Sequence, residues 1–236
     1  IEFWTYVISK NDNAEGFISF DVDGAAANRD VVLGYKSSSS NKLSFMSNGY
    51  DETTIVESED GGVGTGSWHH VAVARDADNI VSMYINGQFK SSGTWTTTHV
   101  TGSSGIAIGQ YYGPGGSPAP NHQRKPNMYM DEIRISSGIA RYSKSIERFA
   151  NTFIARGDTG DAFTTLQIQS NGAKNGAVYG DGPNATGTAI EAGSVGSITG
   201  NVQWSNRVGD PYGGANTCLY FPERSDYIRF SDVSTY

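Results

Sequence analysis

Trp68-His69-His70-Val71-Ala72-Val73-Ala74-Arg75, a turn at residues 76–79, and Ile80-Val81-Ser82-Met83-Tyr84-Ile85 followed by Asn86-Gly87 form the stretch that decides the fold. Apolar residues alternate along both runs, and a period of two marks a half-buried strand because successive side chains point to opposite faces. Asn-Gly is the pair that best tolerates positive φ in a tight two-residue turn, so the stretch reads as antiparallel strands joined by hairpins. The alternation continues outward through residues 1–8, 17–22, 31–36, 42–47 and 53–57 on one side, and 106–112 and 128–135 on the other. Turn chemistry separates these runs at Asn11-Asp12-Asn13, Asp23-Gly24 and Asn48-Gly49, and residues 113–126 form a Gly/Pro-rich loop. Only residues 143–149 suggest a turn or so of helix. After the polar stretch Arg156-Gly157-Asp158-Thr159-Gly160, a second, shorter β region spans residues 164–169, 198–204, 217–221 and 227–230. Between them, residues 172–200 are rich in Gly, Ala, Ser and Thr and read as long loops around weak strands. Short strands at this spacing predict an all-β protein, an antiparallel two-sheet β-sandwich or jelly roll.

Composition agrees. The chain has 236 residues, 30 of them Gly, and 17% charged residues, which favours a turn-rich β protein over a helical one. All-β sandwiches of 200–250 residues often form one unit, so the length allows one domain or two small ones. The net charge of −7 argues against nucleic acid, whose binders need a basic stripe. No apolar run reaches the ~18 residues of a membrane-spanning helix. The one cysteine, Cys218, cannot form an internal disulfide, which excludes a disulfide scaffold. β alternation at the first residue, and again shortly before the last, gives the expectation of a mature fragment or one period of something longer.

Five motifs then follow in order: Gly66-Ser67-Trp68-His69-His70-Val71-Ala72-Val73, Tyr84-Ile85-Asn86-Gly87, Ile106-Ala107-Ile108-Gly109, Met130-Asp131-Glu132-Ile133-Arg134-Ile135 and Gly138-Ile139-Ala140-Arg141-Tyr142. This series resembles the laminin-G-like branch of the concanavalin A-like lectin/glucanase superfamily, in the version found in phage tail fibres and bacterial surface proteins. Residues 161–168, 213–221 and 226–230 resemble the beginning of such a domain, and Ile1-Glu2-Phe3-Trp4 resembles the strand that follows it. The resemblance therefore implies a permuted order: residues 1–150 the body of a sandwich lacking its first strands, 151–162 a linker, and 163–236 the missing front strands.

A body without those strands has open edges, and open edges recruit another strand. The trailing strands have three fates. They fold back on their own body, they complete the next molecule in a head-to-tail polymer, or they belong to a repeat cut out of phase from a tandem array.

Candidate chemistry is sparse. His69 and His70 are adjacent on a strand and face opposite sides, so they cannot share one metal ion. Asp21-Val22-Asp23-Gly24 looks like a calcium loop, yet Val32 stands where an EF-hand needs Glu, which favours a turn with solvated carboxylates. The resemblance leaves calcium as the one cofactor to consider, since branches of the superfamily hold it through loop carboxylates and carbonyls. Glycoside hydrolysis needs two facing carboxylates. The superfamily's catalytic Glu-x-Asp-x-Glu triplet is missing, and Glu57 with Glu59 reads as a solvated edge. No Ser lies in a nucleophile-elbow pattern. No catalytic residue is expected.

Sugar binding uses aromatic platforms beside a few polar groups. Trp95, Tyr111 and Tyr112 stand next to loops and are the candidate glycan contacts, whereas Trp4 and Trp68 are expected in the core. Asn184-Ala185-Thr186 is an N-glycosylation sequon. The expectation is a non-catalytic structural or adhesive subunit of an extracellular, cell-surface or virion fibre, with its own copies as partners. The alternative is a monomeric carbohydrate-binding domain recognising surface glycans, with calcium where required.

Overall fold

In the computed structural model, the residues described are 1–10, 15–20, 31–36, 42–47, 53–59, 61–96, 106–109, 126–142, 164–169, 189–190, 197–199, 202–205, 208, 218–222 and 227–230. Among them the regular structure is entirely β. The helical turn expected near residues 143–149 lies outside this set, as do residues 110–112 of the run at 106–112.

One sheet, here sheet A, is built around β1 (Glu2–Ser9), β6 (Trp68–Arg75), β7 (Ile80–Ile85), β8 (Gln88–Thr94) and β10 (Asn127–Ser136), in the order β10-β1-β6-β7-β8. The other, sheet B, orders β9 (Ile106–Ile108), β2 (Glu15–Phe20), β3 (Val31–Tyr35), β4 (Leu43–Ser47) and β5 (Thr53–Glu57) side by side. Every ladder is antiparallel. The expected hairpin turn is present, with φ of 52° at Asn86 and 75° at Gly87.

The trailing strands extend both sheets of the same chain. β11 (Thr164–Gln169) and β15 (Cys218–Phe221) pair along the free edge of β10, at Ile133–Ser136 and Met128–Met130 respectively. β12 (Ala189–Ile190) pairs with β11, and β14 (Gln203–Ser205) with β15. In sheet B, β16 (Tyr227–Phe230) pairs with β9, and β13 (Ser197–Thr199) with β16. The run 198–204, expected as one strand, is thus two strands in different sheets. Gly200-Asn201, a turn-forming pair, stands between them in sequence.

The core lies between the sheets. Phe3, Val7, Val71, Val73, Met83, Met128 and Ile133 from sheet A meet Phe17, Ile18, Leu33, Leu43, Phe45 and Ile108 from sheet B. Phe3 and Phe17 stack across the interface at 5.8 Å. Ile168, Val202, Leu219, Phe221 and Ile228 of the trailing region are buried in the same cluster.

On the opposite side, edges β8 and β5 are laced together. Ser91 Oγ donates to the Glu57 carbonyl at 2.6 Å. Gly93 lies so close to β5 that a Cβ there would come within 2.2 Å of the Ile55 carbonyl oxygen. β8 was not foreseen from the sequence, because Gln88-Phe89-Lys90-Ser91-Ser92-Gly93-Thr94 has no apolar alternation. It is a guarded edge strand with little to bury.

Candidate functional site

The outer face of sheet A carries a buried polar cluster and a row of aromatic rings. On β1 the core takes Phe3, Thr5 and Val7, so Glu2, Trp4, Tyr6 and Ile8 turn outward. On β6 and β7 the outward set is Trp68, His70, Ala72 and Ala74, with Ser82 and Tyr84.

A bulge in β10 decides what meets Glu2. Trp4 pairs with Asp131 while Glu2 pairs with Arg134, so β10 uses one residue more than β1 across this step. Glu132 takes the positive φ of the bulge, 47°, and its N–H is bonded by Asp131 Oδ1 at 2.8 Å. The extra residue keeps Ile133 and Ile135 in the core and brings Arg134 out opposite Glu2.

The result is a buried polar cluster. Arg134 Nε donates to Glu2 Oε1 at 2.6 Å, with its Nη2 on the same oxygen. Tyr142 donates its hydroxyl to Glu2 Oε2, and His70 Nε2 lies 3.5 Å from that oxygen. All four residues are buried. Burial alone would raise the Glu2 carboxyl, but the His70 contact, the Arg134 charge and the Tyr142 hydroxyl more than offset it and hold it at about 2. Burial lowers His70, with Glu2 opposing, so the ring is neutral near pH 7. Tyr142 also lies over Ala72 and Tyr84, sealing this end of the face. Every hydrogen-bonding direction of Glu2 is turned inward, and the cluster acts as a structural clamp between β1, β6, β10 and residue 142.

Next to the clamp, a row of rings crosses four strands at one register level. Tyr220 of β15 pairs with Tyr129, Tyr129 with Tyr6, and Tyr6 with Trp68. Successive centroids are 4.5, 6.0 and 5.8 Å apart. Tyr129 is buried at the centre, while Tyr6, Trp68 and Tyr220 are partly exposed. Ile8, 39% exposed, continues the same side of β1. Trp4, whose ring meets His70 edge-on at 5.3 Å, lies between the row and the clamp. Trp4 and Trp68 are thus outer-face residues and not core, a correction to the expectation. Alternation divides a strand into two faces, but it does not say which face the second sheet covers.

A third constellation was missed in the sequence. Ser67 Oγ lies 3.0 Å from His69 Nε2, and Asn86 Nδ2 lies 3.3 Å from His69 Nδ1. The trio has the membership of a hydroxyl, a base and an orienting amide, but its wiring is reversed. The His70 backbone N–H donates to Asn86 Oδ1 at 2.9 Å, which fixes the amide with its nitrogen toward His69. His69 Nδ1 must therefore accept. Burial, then the charge of Lys10, lowers the His69 pKa, so the ring is neutral with its proton on Nε2, pointing at Ser67. A general base needs its lone pair toward the hydroxyl. This ring offers it a proton instead.

Of the residues singled out in the sequence, Trp95 is 8% exposed and belongs to the core, edge-on to Phe45 at 5.6 Å with the Arg75 guanidinium 4.7 Å from its ring centre. With those contacts it offers no open face to a sugar, which corrects its candidacy. Asp21, Asp23, Tyr111, Tyr112 and Asn184 lie outside the described residues. Glu57 and Glu59 are drawn to different partners, Lys42 at 2.9 Å and Lys90 at 2.6 Å. Cys218 is buried and forms no disulfide. Among the described residues, no three His, Cys, Asp or Glu side chains group to hold a metal, and no helix is long and apolar enough to cross a membrane.

Two face-packed antiparallel sheets with a shared apolar core define a concanavalin A-like β-sandwich. Residues 1–146 match a laminin G family model described as the concanavalin A-like lectin/glucanases superfamily, and the chain belongs to this laminin-G-like family. No curated protein and no solved structure gives a significant match. A domain of this family fits a lectin-type or adhesive role, and such domains are typically extracellular.

Proposed function

We propose that the chain is a non-catalytic structural or adhesive subunit of an extracellular, cell-surface or virion fibre, assembled by β-strand complementation or by tandem stacking. The supporting observation is the way β9 and β10 are covered. The free edges of both strands are taken by β16, β11 and β15, which bring Ile168, Leu219, Phe221 and Ile228 into the core. These strands come from beyond residue 146, where the family match ends. In this reading residues 1–150 are the body, 151–162 the linker and 163–236 the completing strands. One chain can close its own edges, as here, or those of the next copy, and a contact of the second kind does not close and so propagates. The reversed Ser67–His69–Asn86 wiring supports the absence of hydrolytic chemistry.

Tyr129 and Tyr220 are direct cross-strand partners, so Tyr129→Cys with Tyr220→Cys, in a Cys218→Ala background, reports which chain supplies β15. After oxidation, a ladder of covalent multimers on a non-reducing gel is the expected result for a fibre. Cross-linked monomer alone, at every concentration, would overturn assembly by strand complementation and leave a self-closed adhesive module.

A second reading, favoured by the partly exposed aromatic row, is a monomeric carbohydrate-binding domain of lectin type. Any calcium requirement then shows as loss of binding in a chelator.

A further inference from the structure

We infer that Tyr129 and Tyr220 are a modification site, where oxidative coupling joins the two rings as dityrosine and fastens β15 to β10. The two are direct cross-strand partners on the outer face of sheet A, and their rings stack with centroids 4.5 Å apart and planes 20° from parallel. A stack this close brings ring carbons of one phenol to van der Waals range of the other, about 3.5–4.0 Å. Coupling needs that approach, because the bond forms between carbons ortho to the two hydroxyls. Two other tyrosine pairs are less well placed. Tyr6 meets Tyr129 edge-on at 6.0 Å and 78°. Tyr84 and Tyr142 are tilted by 39° with centroids 5.6 Å apart, and both are buried.

Access and chemistry agree. Tyr220 is partly exposed, whereas Tyr129 is 1% exposed and lies between Tyr220 and Tyr6. A haem peroxidase fed by hydrogen peroxide, a one-electron oxidant, therefore reaches Tyr220 first, taking an electron while the hydroxyl proton goes to water. The Tyr220 phenoxyl then takes a hydrogen atom from the Tyr129 hydroxyl, which restores Tyr220 and moves the radical inward. A second oxidation of Tyr220 leaves two facing phenoxyls. They pair their odd electrons in one ortho C–C bond, and the two ortho hydrogens shift to the oxygens to restore both phenols. In sum, two tyrosines and one peroxide give one dityrosine and two waters. The product ties a strand from beyond the family match to a strand within it, whichever copy supplies β15. Domains of this family are typically extracellular, where oxidised cross-links persist.

The test treats the full chain with a haem peroxidase and hydrogen peroxide, then reads dityrosine fluorescence and maps tryptic peptides by mass spectrometry. The expected main dityrosine species is a peptide pair holding Tyr129 and Tyr220, lighter by two hydrogen atoms than its parts. Tyr129→Phe and Tyr220→Phe keep the stacked rings, and each should abolish that species; Tyr84→Phe should leave it. Linked monomer and linked multimers on a denaturing gel both support the site, so its failure is distinct from failure of the fibre reading. Dityrosine mainly at another pair, or none in the folded chain under conditions that couple free tyrosine, would overturn the site. The linked wild type should also melt roughly 5–10 °C above equally treated Tyr220→Phe, since a tie between distant strands restricts the unfolded chain. Equal melting would overturn the fastening of β15.

Discussion

Among the described residues, Glu2 is a carboxylate on which acid sensitivity should converge. Its carboxyl falls from 4.5 to about 2 on folding, so the folded state favours the ionised form. That stability is complete above pH 4.5 and is lost as pH drops through about 2, an amount of about 3 kcal/mol at 1.36 kcal/mol per pKa unit. His69 and His70 act earlier. Burial lowers both from 6.5, so below pH 6.5 the unfolded chain takes protons that the folded one refuses. Chemical denaturation against pH should therefore show stability declining from pH 6.5 downward and again below 4.5. Glu2→Gln should flatten the lower segment and, by removing the carboxylate that Arg134 is bonded to in the buried clamp, cost about 3–5 kcal/mol at pH 7. A variant whose lower segment keeps the wild-type slope would show that Glu2 is not the titrating group. None of this was legible in the sequence. Glu2 and Arg134 are 132 positions apart, and only the bulge at Glu132 brings them opposite each other. Ser67, His69 and Asn86 were closer to legible, since a hairpin returns Asn86 to His70, but which way the amide points depends on a backbone bond that sequence does not reveal.

At the scale of the element, legibility followed burial. β6 and β7 were read correctly because one face is apolar and the other mixed, and because Asn86-Gly87 names its own turn. β8 escaped because an edge strand is held by its backbone and by contacts to β5 that leave no periodic trace. Those contacts are testable. Gly93→Ala sets a Cβ against the Ile55 carbonyl oxygen, a backbone atom that cannot turn aside, and overpacking of this kind costs about 1–3 kcal/mol. Ser91→Ala removes only the bond to Glu57, worth roughly 1 kcal/mol. Thermal unfolding should rank wild type above Ser91→Ala and Ser91→Ala above Gly93→Ala. Equal melting temperatures for all three would mean that the β5/β8 seam does not hold the sandwich. The misplacement of Trp4 and Trp68 has a related cause. A tryptophan among strand residues looks like core, but in β1 the Phe3–Val7 parity had already claimed the inner face.

For the whole molecule, the two lateral sides of the sandwich are closed by different means. At β5 and β8 the sheets are tied by near neighbours in sequence, whereas at β9 and β10 closure waits for residues that follow after a long interval. Without β11, β15 and β16, the outer edge of the ten-residue β10 would lose both its partners, and the core would lose Ile168, Leu219, Phe221 and Ile228. Burying a large aliphatic or aromatic side chain is worth about 1.5–3 kcal/mol, so four such losses approach the whole stability of a typical domain, about 5–15 kcal/mol. Residues 1–150 expressed alone should therefore fail to give a dispersed amide spectrum or a cooperative melt. Co-expression with residues 151–236 as a separate chain should restore both, because the three ladders and the apolar contacts do not require the connection, only the proximity it supplies. A body that folds and melts cooperatively by itself would show that its edges are already satisfied, and would remove the physical reason for any exchange of strands between copies.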